Sequence, residues 1–356
     1  MMKRTLLITS VKAIFIVSIL IPQFVFAQSN NVYLKKMGAL QGVTLKKGYQ
    51  YGHLTANNHY LTWLELNDNI VFVYDLKQNK LIRTFSLKKG RGPHEYIEVY
   101  WTALTRNDNL YLLDSDQRRL IVYNLDSLHY KNDILLPFHQ TPTRIWPWRN
   151  KLLITTTIAP DSPLLLFDPQ TMKYTTFTSS RLNFKKEFNN NPFLRLGTCT
   201  VSGDKALILT RYRPYIYMYD IKNNSYVGKI KFEKSEITSF HNSVVHTNSS
   251  TIKRQLSPKR VNIMDSEIIS IPGSPNRILI ACYGNGENHR YHQDYLYEYD
   301  LKEKKMIGSF RLNAPIATLG LTENQHSLFF LSIPKDKVIS NKGTRPTIYK
   351  YNILIK

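Results

Sequence analysis

The sequence predicts an all-β protein, a six-bladed β-propeller of four-stranded antiparallel blades, and three observations carry that expectation. First, a short apolar strand ending in Asp or Asn is written six times, at 71–75, 120–124, 164–168, 215–220, 295–300 and 347–352. A polar turn and a strand of alternating apolar and polar residues follow it, as in Val71-Phe72-Val73-Tyr74-Asp75 and the stretch 81–87, which is how a hairpin reads. Second, the closing Asp or Asn falls at 75, 124, 168, 220, 300 and 352, in steps of 49, 44, 52, 80 and 52 residues. Four of those steps match one propeller blade, and the long one implies an insertion. Third, the sixth copy stops just short of the C-terminus and leaves its blade without an outer strand. Asn31-Val32-Tyr33-Leu34-Lys35-Lys36 alternates as that missing strand would. A terminal strand in this place closes the last blade and removes two open sheet edges.

Each blade runs from its innermost strand, A, to its outermost, D. Blade one takes 52–56, 59–66, 70–76 and 81–87; blade two 100–105, 110–114, 120–125 and 130–136; blade three 144–148, 152–157, 164–167 and 174–178. Blade four takes 196–201, 206–210, 215–221 and 226–232. Residues 233–260, rich in Ser, Thr, Asn and His, are the inter-blade insertion behind the long step. Blade five follows with 267–271, 277–283, 295–301 and 306–312, and blade six with 316–321, 327–332 and 347–351. Asn-Asp-Asn and Gly-Asp pairs at the strand ends are turn chemistry, since Asn and Asp bond their own backbone and tolerate left-handed angles. No run of alternating acidic positions ending in Glu appears, so they do not read as calcium loops.

The N-terminus stands apart. Lys3 and Arg4 open it, an apolar run follows from Ala13, and Val25-Phe26-Ala27 places small residues where a leader is cleaved. Residues 1–27 therefore read as a secretory signal peptide with an apolar core too short to serve as a transmembrane anchor, and 28–356 as the mature propeller domain in the periplasm or outside the cell. Two cysteines, Cys199 and Cys282, cannot build a disulfide framework and are expected as buried free thiols. The formal charge is +22, and losing Lys3, Arg4 and Lys12 with the leader leaves +19. That balance favours acidic partners. The basic residues are scattered through hairpin tips such as Lys77, Lys80, Lys222, Lys302, Lys304 and Lys305, which reads as a solvated surface and not as a nucleic-acid site.

Gly90-Arg91-Gly92-Pro93-His94-Glu95-Tyr96 follows the first outer strand directly. It resembles the Gly-x-Gly-Pro-x-Glu-aromatic signature of exported six-bladed propellers of the TolB-like and NHL-like group in Bacteroidetes-type bacteria. There it precedes a strand pair similar to Asn109-Leu110-Tyr111-Leu112-Leu113-Asp114 and Arg119-Leu120-Ile121-Val122-Tyr123-Asn124. The resemblance implies a fold and a compartment, not an activity. Where that signature usually has Gly after Pro, this chain has His94, so no glycine-type backbone angle is expected there. The local chemistry favours a structural loop, with Gly90 and Gly92 allowing a tight path, Pro93 stiffening it and Glu95 accepting backbone N–H groups.

In such a meander the D-to-A and B-to-C loops emerge on one face. That groups Arg91, His94 and Glu95 with Arg118 and Arg119, with Arg211 and Arg213, and with His289, Arg290 and His292. Arg forks mixed with aromatic rings suit carboxylate, sulfate or phosphate groups on a glycan, a peptide or an envelope protein. The expected function is an exported, monomeric binding module for an anionic or polymeric ligand on this face, with no cofactor. The alternative is a metal-assisted hydrolase or lyase acting on a polysaccharide or peptide, with His289, His292 and Asp294 as ligands or as an acid–base set. No Gly-x-Ser-x-Gly elbow, Walker loop or dinucleotide fingerprint is present to demand an enzyme.

Overall fold

The computed structural model describes residues 32–46, 49–156, 164–177, 197–210, 215–231, 267–271, 273–282, 293–322, 324, 326–332 and 346–355. The expected leader and the 233–260 insertion lie outside them. The chain divides into two compact units: Leu34–Ile353, and Met1–Tyr33 with Leu354–Lys356. The propeller is the larger unit, and no helix appears among the described residues.

In chain order, β1 (Val32–Ala39) is followed by blade one: β2 (Tyr51–Ala56), β3 (Tyr60–Glu65), β4 (Ile70–Asp75) and β5 (Lys80–Ser86). The short parallel pair β6 (Lys88–Lys89) and β7 (Glu95–Tyr96) leads into blade two, β8 (Val99–Leu104), β9 (Asn109–Asp114), β10 (Arg119–Asn124) and β11 (His129–Leu135). Blade three is β12 (Pro142–Trp148), β13 (Lys151–Thr156), β14 (Leu164–Asp168) and β15 (Lys173–Thr176); blade four is β16 (Gly197–Ser202), β17 (Lys205–Thr210), β18 (Tyr215–Asp220) and β19 (Ser225–Lys231). Then come β20 (Glu267–Ile271), β21 (Ser274–Cys282), β22 (Gln293–Asp300), β23 (Lys305–Leu321), β24 (Ser327–Ser332) and β25 (Thr347–Ile355). Four blades are separate antiparallel sheets in chain order, while β20 to β25 and β1 form one seven-stranded sheet.

That sheet is blades five and six joined through a shared strand. The sequence splits this stretch at Asn313-Ala314-Pro315, yet β23 runs unbroken through it. Its first part pairs with β22 as the outer strand of blade five, and its last part pairs with β24 as the inner strand of blade six. The N-terminal strand lies beside β25, as the repeat count requires, and Leu40 N–H donates to Ile348 O at 2.9 Å.

Burial explains the sequence pattern. Middle strands such as β9 and β10 are buried on both faces, because blades pack sheet against sheet, and so they read as unbroken apolar runs. The outer strands β5 and β11 have one wet face and alternate. Cys199 sits buried and free in β16, where burial pushes its thiol pKa up; the Cys282 side chain lies outside the described residues.

The repeated Asp or Asn has a shared task. Its side-chain oxygen accepts backbone N–H groups of the next turn: Gln78 on Asp75 at 2.7 Å, Ser127 on Asn124 at 2.9 Å, Gln170 on Asp168 at 3.0 Å, Asn223 on Asp220 at 2.9 Å and Lys302 on Asp300 at 2.8 Å. Four residues after each comes a left-handed position: Asn79, Leu128, Met172, Asn224 and Lys304, with φ between 49° and 57°. The turn geometry is thus held by the Asx bond strongly enough to place even Leu and Met at φ > 0. Asn352 has no such turn to cap.

Neighbouring blades are tied at their inner strands by threonine hydroxyls. Thr318 Oγ1 accepts Leu54 N–H (3.3 Å), Thr55 Oγ1 accepts Leu104 N–H (3.2 Å) and Thr200 Oγ1 accepts Ser270 N–H (3.1 Å). The A-to-B turns add a second belt. Asn57 Nδ2 donates to Asp108 Oδ1 at 2.5 Å, Arg106 N to Arg149 O at 3.3 Å, Arg149 Nη2 to Asp204 Oδ1 at 3.1 Å and Asn324 N to Asn58 Oδ1 at 3.0 Å.

Candidate functional site

The loop 90–96 and the turn 115–118 meet on the D-to-A and B-to-C face, and what joins them is Arg119. This residue opens β10 and is buried. Its Nη1 donates to Gly92 O at 3.0 Å and to Asp133 Oδ2 at 2.8 Å, its Nη2 donates to Glu95 O, and its Nε lies 3.7 Å from Asp114 Oδ2. Asp114, with a fully buried side chain, also accepts Ile97 N–H at 3.0 Å and Gln117 Nε2 at 2.8 Å. Gln117 Nε2 reaches Gly90 O at 3.1 Å. The guanidinium therefore serves the loop backbone and buried carboxylates, and it does not face solvent.

Glu95 works the same way from inside the loop. Its Oε2 accepts Gly92 N–H at 2.8 Å and its Oε1 pairs with Lys88 Nζ at 2.6 Å. The Lys88 contact first, then the Gly92 N–H, hold its carboxyl below the ordinary range. His94 differs from the sequence expectation. Its φ is 60°, so the glycine-type angle is kept although the residue is not glycine. Its ring stacks on Tyr130 with centroids 3.3 Å apart, an aromatic contact glycine could not make.

Of the predicted site residues, Arg91 and His94 are exposed, and Arg118 is half-buried with Nη1 on His139 O at 3.2 Å. These three are brought together with Glu95 and Arg119. Arg211, Arg213, His289, Arg290 and His292 lie outside the described residues, as does the side chain of Asp294. Among the described residues, no three His, Cys, Asp or Glu side chains gather as metal ligands do.

The sequence reading missed the centre of the propeller. A cavity of about 360 Å³ lies there, lined by the inner strand of every blade and, at one end, by the A-to-B turn residues Asn57, Arg106, Arg149, Gly203 and Thr322. This is the end opposite the loop 90–96. Three of the four tryptophans of the chain, Trp101, Trp146 and Trp148, stand on the inner strands β8 and β12. Their concentration on A strands was the available signal. His53 lies 4.4 Å from the Trp101 ring, the Arg144 guanidinium 4.3 Å from it, and Trp146 packs at 5.7 Å.

Burial pushes the His53 imidazole down to about 3 from an ordinary 6.5; the contact of Nδ1 with Thr102 O at 3.2 Å opposes the shift and the Arg144 cation adds to it. The folded protein thus keeps His53 neutral where the unfolded chain protonates it. Stability is expected to be full above pH 6.5 and to fall between pH 6.5 and about 3. Denaturation midpoints at pH 7, 5.5 and 4 measure this, and a His53→Gln variant should lose part of that acid dependence. An unchanged slope in the variant would show that His53 does not carry it.

Three solved structures share the architecture. A DUF4221 protein of Bacteroides vulgatus aligns over 92% of this chain and 99% of its own, at 10% identity and a TM-score of 0.60. A Bacteroides fragilis protein described as exported aligns over 93% and 98%, at 14% identity and 0.51. A luciferin-regenerating enzyme aligns over 92% and 97%, at 10% identity and 0.53. At such identities the likeness is one of fold. None of the curated proteins matches the chain. With residues 54–323 matching the DUF5128 family, described as a 6-bladed beta-propeller, the chain belongs to that family.

Proposed function

We propose that the mature chain is an exported binding module that holds an anionic polymer, an acidic glycan first among them, on the D-to-A and B-to-C face. The observation that carries this reading is the stiff loop pair itself. Arg119, Asp114, Gln117 and Glu95 fix the backbone, while Arg91, His94 and Arg118 are left at its surface. Cations on a backbone already ordered lose less freedom on binding than cations on a loose loop. Export rests on the leader-like residues 1–27 and on the likeness to the exported Bacteroides fragilis protein, and with it goes the kinship to TolB-like and NHL-like propellers.

The test is titration of polygalacturonate into the purified mature protein at low and at raised salt. Affinity is expected to fall with salt, because exposed charges are screened. An Arg91→Gln, Arg118→Asn double variant should bind about tenfold more weakly, since exposed ion pairs contribute up to about 1 kcal/mol each. Asn is chosen because position 118 has φ 51°. The unfolding midpoint should stay close to that of the native chain. Unaltered affinity in the double variant would remove this face from the proposal.

A further inference from the structure

The chain turns inward from the outer strand β5 through the loop 90–96 to the inner strand β8, so the residues that open β8 lie on the axis side of Arg91 and His94, at the same end of the propeller. Burial alternates there: Glu98 is exposed, Val99 is buried and Tyr100 is 50% exposed. Glu98 already belongs to the ladder, since its O accepts Ser115 N–H at 3.2 Å next to the Val99–Asp114 pair. Alternate side chains of an extended backbone leave on one side, so Glu98 and Tyr100 project together, away from Val99.

Tyr100 breaks a rule of the fold. Inner strands are walled by the neighbouring blades. The other large apolar side chains that stand exposed among the described residues lie on outer strands, in turns and loops, or at the end of β25. Gly52 of the neighbouring inner strand lies against the Tyr100 backbone and has no side chain to cover the ring. Among the described residues, the Tyr100 ring has no aromatic partner and its hydroxyl no hydrogen bond. An exposed aromatic ring beside an exposed carboxylate suits a sugar. The C–H face of a pyranose lies on the aromatic face, and its hydroxyls donate to the carboxylate oxygens. The same carboxylate repels a chain that offers negative groups and no hydroxyls.

We infer that Tyr100 and Glu98 form a sugar subsite of the face proposed above, and that the polymer held there is a glycan whose acid groups sit on hydroxyl-bearing rings. The inference rests on that reading of the face. Arg91 and Arg118 attract any anion, while Tyr100 and Glu98 choose among anions, one by attraction and the other partly by repulsion.

Polygalacturonate and polyglutamate carry the same acid group, one on sugar rings and one on a peptide chain, so the ratio of their affinities for the full mature chain isolates the subsite. Titration of each at one salt concentration should favour polygalacturonate. Tyr100→Ser is expected to lower the ratio about fivefold by weakening the glycan alone, and Tyr100→Phe to keep it. Glu98→Gln should lower it too, because it ends a repulsion that polyglutamate feels in full and costs the glycan a charged acceptor. Both positions are exposed, so thermal unfolding of each variant should match the native chain. A ratio near one in the native chain, or a ratio unmoved by Tyr100→Ser or by Glu98→Gln, would overturn the inference. If Arg91→Gln, Arg118→Asn weakens both polymers while Tyr100→Ser moves neither, the subsite alone falls. If the double variant moves neither polymer, the face itself falls.

Discussion

Replacing Arg119 with alanine is expected to destabilise the protein by about 3–5 kcal/mol, the usual cost of removing one partner of a buried ion pair. The reason is what would be left behind. Asp114 is fully buried, Asp133 is largely so, and the carbonyls of Gly92 and Glu95 would lose their donor in the same step. Arg119→Lys should recover little, because one ammonium cannot reach groups spread around a planar fork. Guanidinium chloride unfolding of the native chain and both variants reads the effect directly. A ligand-contacting arginine would behave otherwise, with R119A unfolding like the native chain and losing only affinity. That pattern would return Arg119 to the binding surface.

Arg118 and Arg119 also show how far residue type alone carries. In sequence they are one basic pair in one loop. In the fold, Arg118 sits at φ 51° at the tip of the turn and Arg119 is the first residue of a strand, so adjacent side chains leave in different directions. Sequence periodicity carries the blades because burial imposes it, and the capping Asp or Asn recurs because each C-to-D turn needs the same backbone bonds. The inter-blade ties and the cavity leave a fainter mark. They depend on which residues of different blades stand level with one another. Trp101 and Trp146 are 45 positions apart, and only the packing of β8 against β12 brings their rings to 5.7 Å. Likewise, Ser270 is an ordinary strand residue until its hydroxyl is found buried without a partner.

The two ends of the propeller are built differently, and this bears on what each can hold. At the loop 90–96 end, the polar groups of Glu95, Asp114, Gln117 and Arg119 are spent on one another and on the loop backbone, with the cations of Arg91 and Arg118 outside them. At the other end the inner strands leave a concavity whose lining is aromatic, cationic and partly unbonded. The anionic polymer proposed above would lie across the first.

Gly90 gives the loop its second large expected effect. Its φ is +155°, a conformation L residues rarely adopt, and a Cβ built there would lie 2.1 Å from Glu95 Oε2 and 2.6 Å from its Cδ. Gly90→Ala therefore carries backbone strain of about 1–3 kcal/mol and in addition expels the carboxylate from its cradle. With Glu95 displaced, the bond to Gly92 N–H and the pair with Lys88 are lost together. Gly203→Ala is the control: φ is +62° but nothing lies within 4 Å of the new Cβ, so its cost is about 1 kcal/mol of conformational strain alone. A double-mutant cycle separates the two parts at Gly90. If the clash matters, Gly90→Ala costs less in a Glu95→Ala background than in the native one, and the difference is the coupling between loop backbone and carboxylate. An additive cycle would mean that Glu95 does not hold the loop, and the stiffness on which the proposed binding face depends would have to come from Arg119 alone.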